Sequence, residues 1–161
     1  MSLRFHLLGL AHLETTKENS SCAYTQKIIK LAKMLKSFGH TVFFYGVEGS
    51  NVECDEFVQV SAKSILHETY GDYDKTKIFY KQDPNDIAHS TFNKNAIREI
   101  SERMQPHDIL LCPDGLYHKP VADELNLLTV EPGIGYHGVF SAYRVFESYA
   151  WMHYIYGKEK T

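Results

Sequence analysis

The sequence is poor in cysteine. It has three, Cys22, Cys54 and Cys112, an odd number with wide spacing and no CxxC. A disulfide framework and a structural zinc knuckle are therefore not expected, and a reducing, cytoplasmic setting is. It also lacks any apolar run near the roughly eighteen residues of a membrane span. The opening Met-Ser-Leu-Arg-Phe-His leads into only a short apolar stretch, without the h-region and small-residue cleavage site of a signal peptide. No sign of charge dominates: 17 Lys and Arg face 20 Asp and Glu, a net charge of -3. That excludes the strong basic field of a dedicated nucleic-acid binder. Internal repeats and low-complexity tracts are absent as well.

What the chain does have is the make-up of one globular domain. Its 161 residues are 43% apolar and 23% charged, enough to bury a core without staples. Aromatics are plentiful, with 11 Tyr, 9 Phe and one Trp. They serve core packing or a stacking, sugar-binding surface.

The hydropathy pattern alternates between buried strands and amphipathic helices. Arg4–Leu10 reads as a strand. Ser21–Phe38 reads as a helix with Ile28, Leu31, Ala32 and Leu35 on one face, Ser20 or Ser21 as N-cap and Gly39 as the stop. His40–Gly46 and Glu56–Val60 read as strands. Ser61–Asn85 shows no sustained period and reads as loop with one or two short helices. Thr91–Gln105 is helical up to Pro106, and Asp108–Cys112 is a continuous apolar strand. A short helix over Lys119–Leu125, a strand over Asn126–Val130 and a last helix over Ser141–Tyr156 complete the series. The fold class is α/β: a single Rossmann-like domain, with a mainly parallel sheet and helices on both faces.

Ligands of such sheets bind beyond the carboxyl ends of the strands. Three loops leave those ends: Ala11–Ser21, Pro113–Lys119 and Glu131–Gly138. Each is expected to lead into a helix, and all three to share one rim. The first carries His12, Glu14, Thr15, Thr16, Asn19 and Ser20 before a helix N-terminus, which suits a phosphate or carboxylate or is only a capped surface loop. It is neither a P-loop nor a dinucleotide fingerprint. The third holds Gly133, Gly135 and Gly138 around Tyr136. Its glycines serve a ligand approach or a turn, and Glu131 either accepts hydroxyl hydrogen bonds or caps. In the last helix, Val145, Phe146, Tyr149, Met152 and Tyr156 fit a buried stripe. Arg144 and Glu147 are spaced to pair, the rival being an Arg144 aimed at an anionic ligand. His12, His118, His137 and His153 are scattered, with no HExxH or other short ligand spacing, so no metal is expected. No GxSxG elbow is present, and Cys112 reads as core.

Two segments carry a family resemblance. Val130–Gly157, VEPGIGYHGVFSAYRVFESYAWMHYIYG, resembles the end of the N-terminal domain of glycosyltransferases of the two-domain GT-B architecture, family-four-like members in particular. His12–Gly46, with its His-x-x-Thr loop, CAYTQK helix start and GHTVFFYG strand, is similar to the opening of the same domain. The resemblance implies the acceptor-side domain, over residues 1–161, of an enzyme moving a sugar from a nucleotide-sugar donor to an acceptor hydroxyl. It implies no metal requirement and no cofactor bound by this domain alone. The donor nucleotide is expected on a C-terminal domain or a separate chain, the second domain being absent here, so the chain alone is expected to be inactive. Asp114 and Glu131 are then candidates for acceptor or sugar hydroxyl contacts, beside His12, Glu14, Thr15, Asn19, Gly133, Gly135, Tyr136 and Arg144. No catalytic base carries over. The first loop has no Gly-Gly pair of the kind many such transferases use, so backbone contact with donor phosphates is not expected there.

Two other functions fit an α/β chain of this length: a non-catalytic Rossmann-like binding or regulatory module, and a small nucleotide-processing enzyme. The last helix is apolar all round. Some of Trp151, Tyr154 and Ile155 are therefore expected to be exposed or covered by a second copy.

Overall fold

The computed structural model describes residues 1–72 and 82–161. The strands are β1 (Arg4–Leu8), β2 (Thr41–Val47), β3 (Glu56–Ser61), β4 (Ile109–Leu111), β5 (Leu128–Ile134) and β6 (Tyr143–Phe146). The helices are α1 (Ala23–Ser37), α2 (Lys63–Tyr70), α3 (Ile87–Arg103), α4 (Lys119–Glu124) and α5 (Tyr149–Glu159). Among the described residues the six strands form one sheet in the order β3-β2-β1-β4-β5-β6, and every pairing is parallel. The order reverses between β1 and β4, the doubly wound arrangement of a Rossmann-like domain. No helix among the described residues is long and apolar enough to cross a membrane.

Alternation along the strands divides the core into two layers. Phe5, Leu7, Val42 and Phe44 face Ile28, Ala32 and Leu35 of α1. Leu8, Tyr45, Val58, Val60 and Leu110 face Leu66, Phe92, Ala96, Ile100 and Val121 of α2, α3 and α4. Ile28 and Ala32 are fully buried; burying a side chain the size of Ile28 contributes about 2 kcal/mol. α1 stops at Gly39, whose φ of +78° suits glycine. His40 N–H then donates to Leu35 O at 3.1 Å and Gly39 N–H to Lys36 O at 3.0 Å, a Schellman closure. The N-terminus departs from expectation. Its cap is Cys22, without a side-chain cap bond, because a 3-10 turn over Lys17–Asn19 has already turned the chain.

The larger departure is at the C-terminus. Residues 141–148, expected as helix, instead supply edge strand β6. Tyr143 and Val145 are exposed there while Arg144 and Phe146 are half-buried, a period of two that the surrounding apolar residues also disguise as a helical stripe. The anticipated stripe therefore does not form: Val145 and Tyr149 are 55% and 81% exposed. α5 begins only at Tyr149, where Ser148 Oγ accepts from Trp151 N–H. Similarly, β5 runs on through Pro132 and Gly133 to Ile134, with its register to β6 shifted between Glu131 and Ile134. The third loop thus starts inside a strand and leads to a strand. α2 is one of the short helices expected over Ser61–Asn85; residues 73–81 of that stretch lie outside the described residues. α3 begins at Ile87, four residues earlier than the periodicity indicates, and that shift adds His89 to its buried face.

Candidate functional site

The chain leaves β1 at Gly9 and β4 at Cys112, on either side of the reversal in strand order. Two loops therefore diverge here, and His118 joins them. Its Nε2–H donates to Gly9 O at 2.9 Å, while its Nδ1 accepts Asp114 N–H at 3.2 Å. Both ring nitrogens are used by neutral imidazole. Burial holds the ring in that form and pushes its pKa down to about 3, against the smaller opposing effect of the Gly9 carbonyl.

Asp114 is buried beside this bridge. Its Oδ2 has no hydrogen-bond partner. Burial raises its pKa to about 7, with Lys27 pulling the other way. Gly115 follows with φ +55°, and a Cβ there would lie 2.7 Å from the Tyr136 ring. Glycine is thus required both by the backbone and by the close approach of Tyr136.

The start of α3 adds a histidine that sequence reasoning missed. The Asp86 carboxylate caps the helix, accepting from His89 N–H at 2.8 Å, and also receives Tyr70 Oη–H at 2.6 Å. The same carboxylate lies 2.9 Å from His89 Nδ1. Burial opposes ionisation of Asp86, but the bonds from Tyr70 and His89 outweigh it and lower its pKa. An ionised carboxylate only accepts, so the His89 Nδ1 facing Asp86 carries a proton. His89 Nε2 is buried without a partner. The signal in the sequence is an Asp-x-x-His cap that places a polar residue on a helix's inner face.

His12, from the loop after β1, completes the group. Ligand atoms of His12, His89 and Asp114 all lie within 4.8 Å of one another, and all three residues are buried. The His12 and His89 rings stack at 6.1 Å, and Gln82 reaches His12 Nε2 at 3.2 Å. Beside them opens a cavity of about 380 Å³, bounded by Tyr24, Asp114, Leu116, Tyr117, Tyr136 and His137 among others. Burial pushes the Tyr24 phenol up to about 12 and also raises those of Tyr117 and Tyr136, so these walls present neutral rings. A larger hollow of about 650 Å³ lies by Asp108 and Leu128, at the starts of β4 and β5. Asp108 there already accepts from His6, Arg4 and Gln105.

The remaining predicted site residues separate into supports and outliers. Thr15 is buried with Oγ1 unpartnered; its N–H donates to Ser50 and its carbonyl accepts from Asn51. Asn19 Nδ2 donates to Glu14 O, and the Glu14 carboxylate faces Lys63 at 3.8 Å. Glu131 is fully buried and receives Tyr136 Oη–H, Phe140 N–H and Ser141 N–H. It braces its own loop and positions Tyr136; burial raises its pKa despite these bonds. Gly133 O accepts from Lys27, and Gly135 lies under the Glu147 carboxylate. Arg144 is outside the cavity. Its expected partner Glu147 pairs instead with Lys27 at 2.7 Å, while Arg144 pairs with Glu159 at 2.7 Å. The reason is that residues 144–147 are extended and not helical: Glu147, just past β6, still donates its N–H to Ile134 O at 2.9 Å, so residues three apart point to opposite faces, Arg144 toward α5 and Glu147 toward α1.

No protein-family model, curated protein or solved structure matches the chain.

Proposed function

We propose that this chain is the acceptor-side domain of a cytoplasmic glycosyltransferase, binding the sugar or glycan acceptor in the cavity at the β1/β4 switch point. The observation that carries the reading is a cavity whose walls pair three tyrosine rings with the polar side chains of Asp114 and His137. Tyr24, Tyr117 and Tyr136 offer ring faces to the C–H surface of a sugar, and Asp114 and His137 bring polar groups to the same walls. A site of this kind, apolar with a few convergent polar groups, suits a small polar ligand. The nucleotide-sugar donor arrives on a second domain or a separate chain facing the same rim; the acceptor oxygen bonds to the anomeric carbon as the bond from that carbon to the donor phosphate breaks, the nucleotide leaves with the electron pair, and the acceptor proton passes to the departing phosphate.

Saturation-transfer NMR with a panel of oligosaccharides tests the binding step. Sugar-ring protons should receive saturation from the protein, and Tyr117→Ala and Asp114→Ala should abolish the signal. Arg144→Ala, outside the cavity, should leave it intact. Failure of every sugar to bind, with free nucleotides saturated at the same cavity, would replace this reading with a nucleotide-processing one.

A further inference from the structure

We propose that His12, His89 and Asp114 bind one divalent transition-metal ion of the zinc class, beside the tyrosine-lined cavity that Asp114 also lines. The three residues come from the loop after β1, the first turn of α3 and the loop after β4, so only the fold brings their ligand atoms within 4.8 Å of one another. Two imidazoles and a carboxylate suit zinc, cobalt or iron(II) better than magnesium or calcium, which favour all-oxygen shells.

Two buried atoms point to an ion independently of that proximity. His89 Nε2 and Asp114 Oδ2 are both without hydrogen-bond partners, whereas buried polar groups are ordinarily satisfied. A cation would satisfy both atoms and neutralise the buried carboxylate. The outer shell also has the form found around metal-binding histidines, in which the second ring nitrogen donates to a carboxylate and fixes the tautomer. His89 Nδ1 lies 2.9 Å from Asp86 Oδ1, and Tyr70 holds the other Asp86 oxygen. His118 fixes the Asp114 backbone, its Nδ1 accepting Asp114 N–H at 3.2 Å.

Metal–ligand bonds of about 2.0–2.2 Å set ligand atoms about 3.3 Å apart in a tetrahedral site. Loading therefore draws the three side chains inward by an ångström or so, within the reach of side-chain rotation. Three protein ligands leave a coordination position for water or for an oxygen of a ligand in the cavity. The ion site goes beyond the transfer reading, and its tests do not depend on any sugar.

The full chain, stripped with a chelator, is titrated with cobalt(II) and then zinc(II). One equivalent of cobalt should bind with visible d–d absorption and be displaced by zinc. His89→Gln and Asp114→Asn, checked for folding by circular dichroism, should lose the band. Asp86→Asn should weaken binding about 10–100-fold, and His153→Gln, on the exposed face of α5, should change nothing. X-ray absorption of the zinc-loaded wild-type chain should show two imidazoles among nitrogen and oxygen neighbours, a readout that needs no variant. The proposal fails if no equivalent binds at tens of micromolar, if folded His89→Gln and Asp114→Asn bind as the wild type does, or if the zinc neighbours include fewer than two imidazoles.

Discussion

His118 and Gly9, 109 residues apart in the chain, are joined by a 2.9 Å hydrogen bond from the imidazole Nε2–H to the carbonyl. The bond closes the sheet's switch point from inside, and the same ring accepts Asp114 N–H on its other nitrogen. His118→Ala would orphan both backbone groups and open a cavity against Phe92, whose ring stacks on the imidazole at 6.1 Å. A loss of about 2–4 kcal/mol is expected, read as a lower urea midpoint at unchanged m. A loss below about 0.5 kcal/mol would show that the bridge contributes nothing net.

At the other end of β1, His6 Nε2–H donates to Asp108 at 2.8 Å and His6 Nδ1 accepts from Tyr45 at 2.7 Å. Burial lowers the His6 pKa, outweighing the attraction of Asp108. Burial opposes ionisation of Asp108 too, but the bonds from His6, Gln105 and Arg4 prevail and lower its pKa. Both groups therefore bind fewer protons folded than unfolded, and stability rises with pH. His6 gives its contribution in full above about pH 6.5 and loses it progressively below; Asp108 gives its own above about pH 3.9 and loses it as pH falls through its lower folded value. Melting temperature should fall from pH 7 to pH 3. Asp108→Asn should flatten the acid end of that curve, and a parallel curve in the variant would remove Asp108 as the cause.

Gly135 and Gly157 should respond in opposite senses to alanine. A Cβ on Gly135 would sit 1.8 Å from Glu147 Oε2, forcing apart the Lys27–Glu147 pair. The carboxylate is the end of a flexible side chain and can swing aside, so Gly135→Ala should cost up to about 1 kcal/mol, the worth of the exposed ion pair, and should cost nothing further in a Glu147→Ala background. Nothing lies within 4 Å of a Cβ at Gly157, which is inside α5, so alanine there should stabilise by about 0.5–1 kcal/mol. Additive effects at 135 and 147 in chemical denaturation would contradict the clash.

α5 is held by little. Ile155 is its buried residue, 7% exposed, while Tyr149, Tyr154 and Tyr156 remain exposed. Exposure of Tyr154 agrees with the expectation that some of Trp151, Tyr154 and Ile155 lie at the surface, and Ile155 is the one of the three that is buried. Ile155→Ala should cost about 2–4 kcal/mol locally, seen as faster hydrogen exchange over α5 with the sheet unchanged. Tyr149→Ser should stay within about 0.5 kcal/mol of wild type. Equal acceleration of exchange in both variants would mean that the helix is anchored elsewhere.

Local pattern determined most of the architecture. Leu7, Phe44 and Leu110 lie in short apolar runs bounded by polar or turn residues, a length and setting that favour buried strands. The spacing of Ile28, Ala32 and Leu35 fixes the inner face of α1, and Gly39 fixes its end, because each depends on residues within one or two turns. The common rim of the Ala11–Ser21, Pro113–Lys119 and Glu131–Gly138 loops is expected from the rule for parallel sheets, and no local pattern in those loops shows it. The tertiary structure alone decided β6, since Tyr143–Phe146 fits two periods and only pairing along β5 selects the strand. It alone assigned Glu131 to bracing its loop and Arg144 to Glu159, for side-chain direction follows from the element each residue occupies. It also decided the group of His12, His89 and Asp114. Ligand spacing in a sequence reveals sites built on one helix or hairpin, whereas these three meet because a parallel sheet brings the ends of β1 and β4 side by side and packs the first turn of α3 across them.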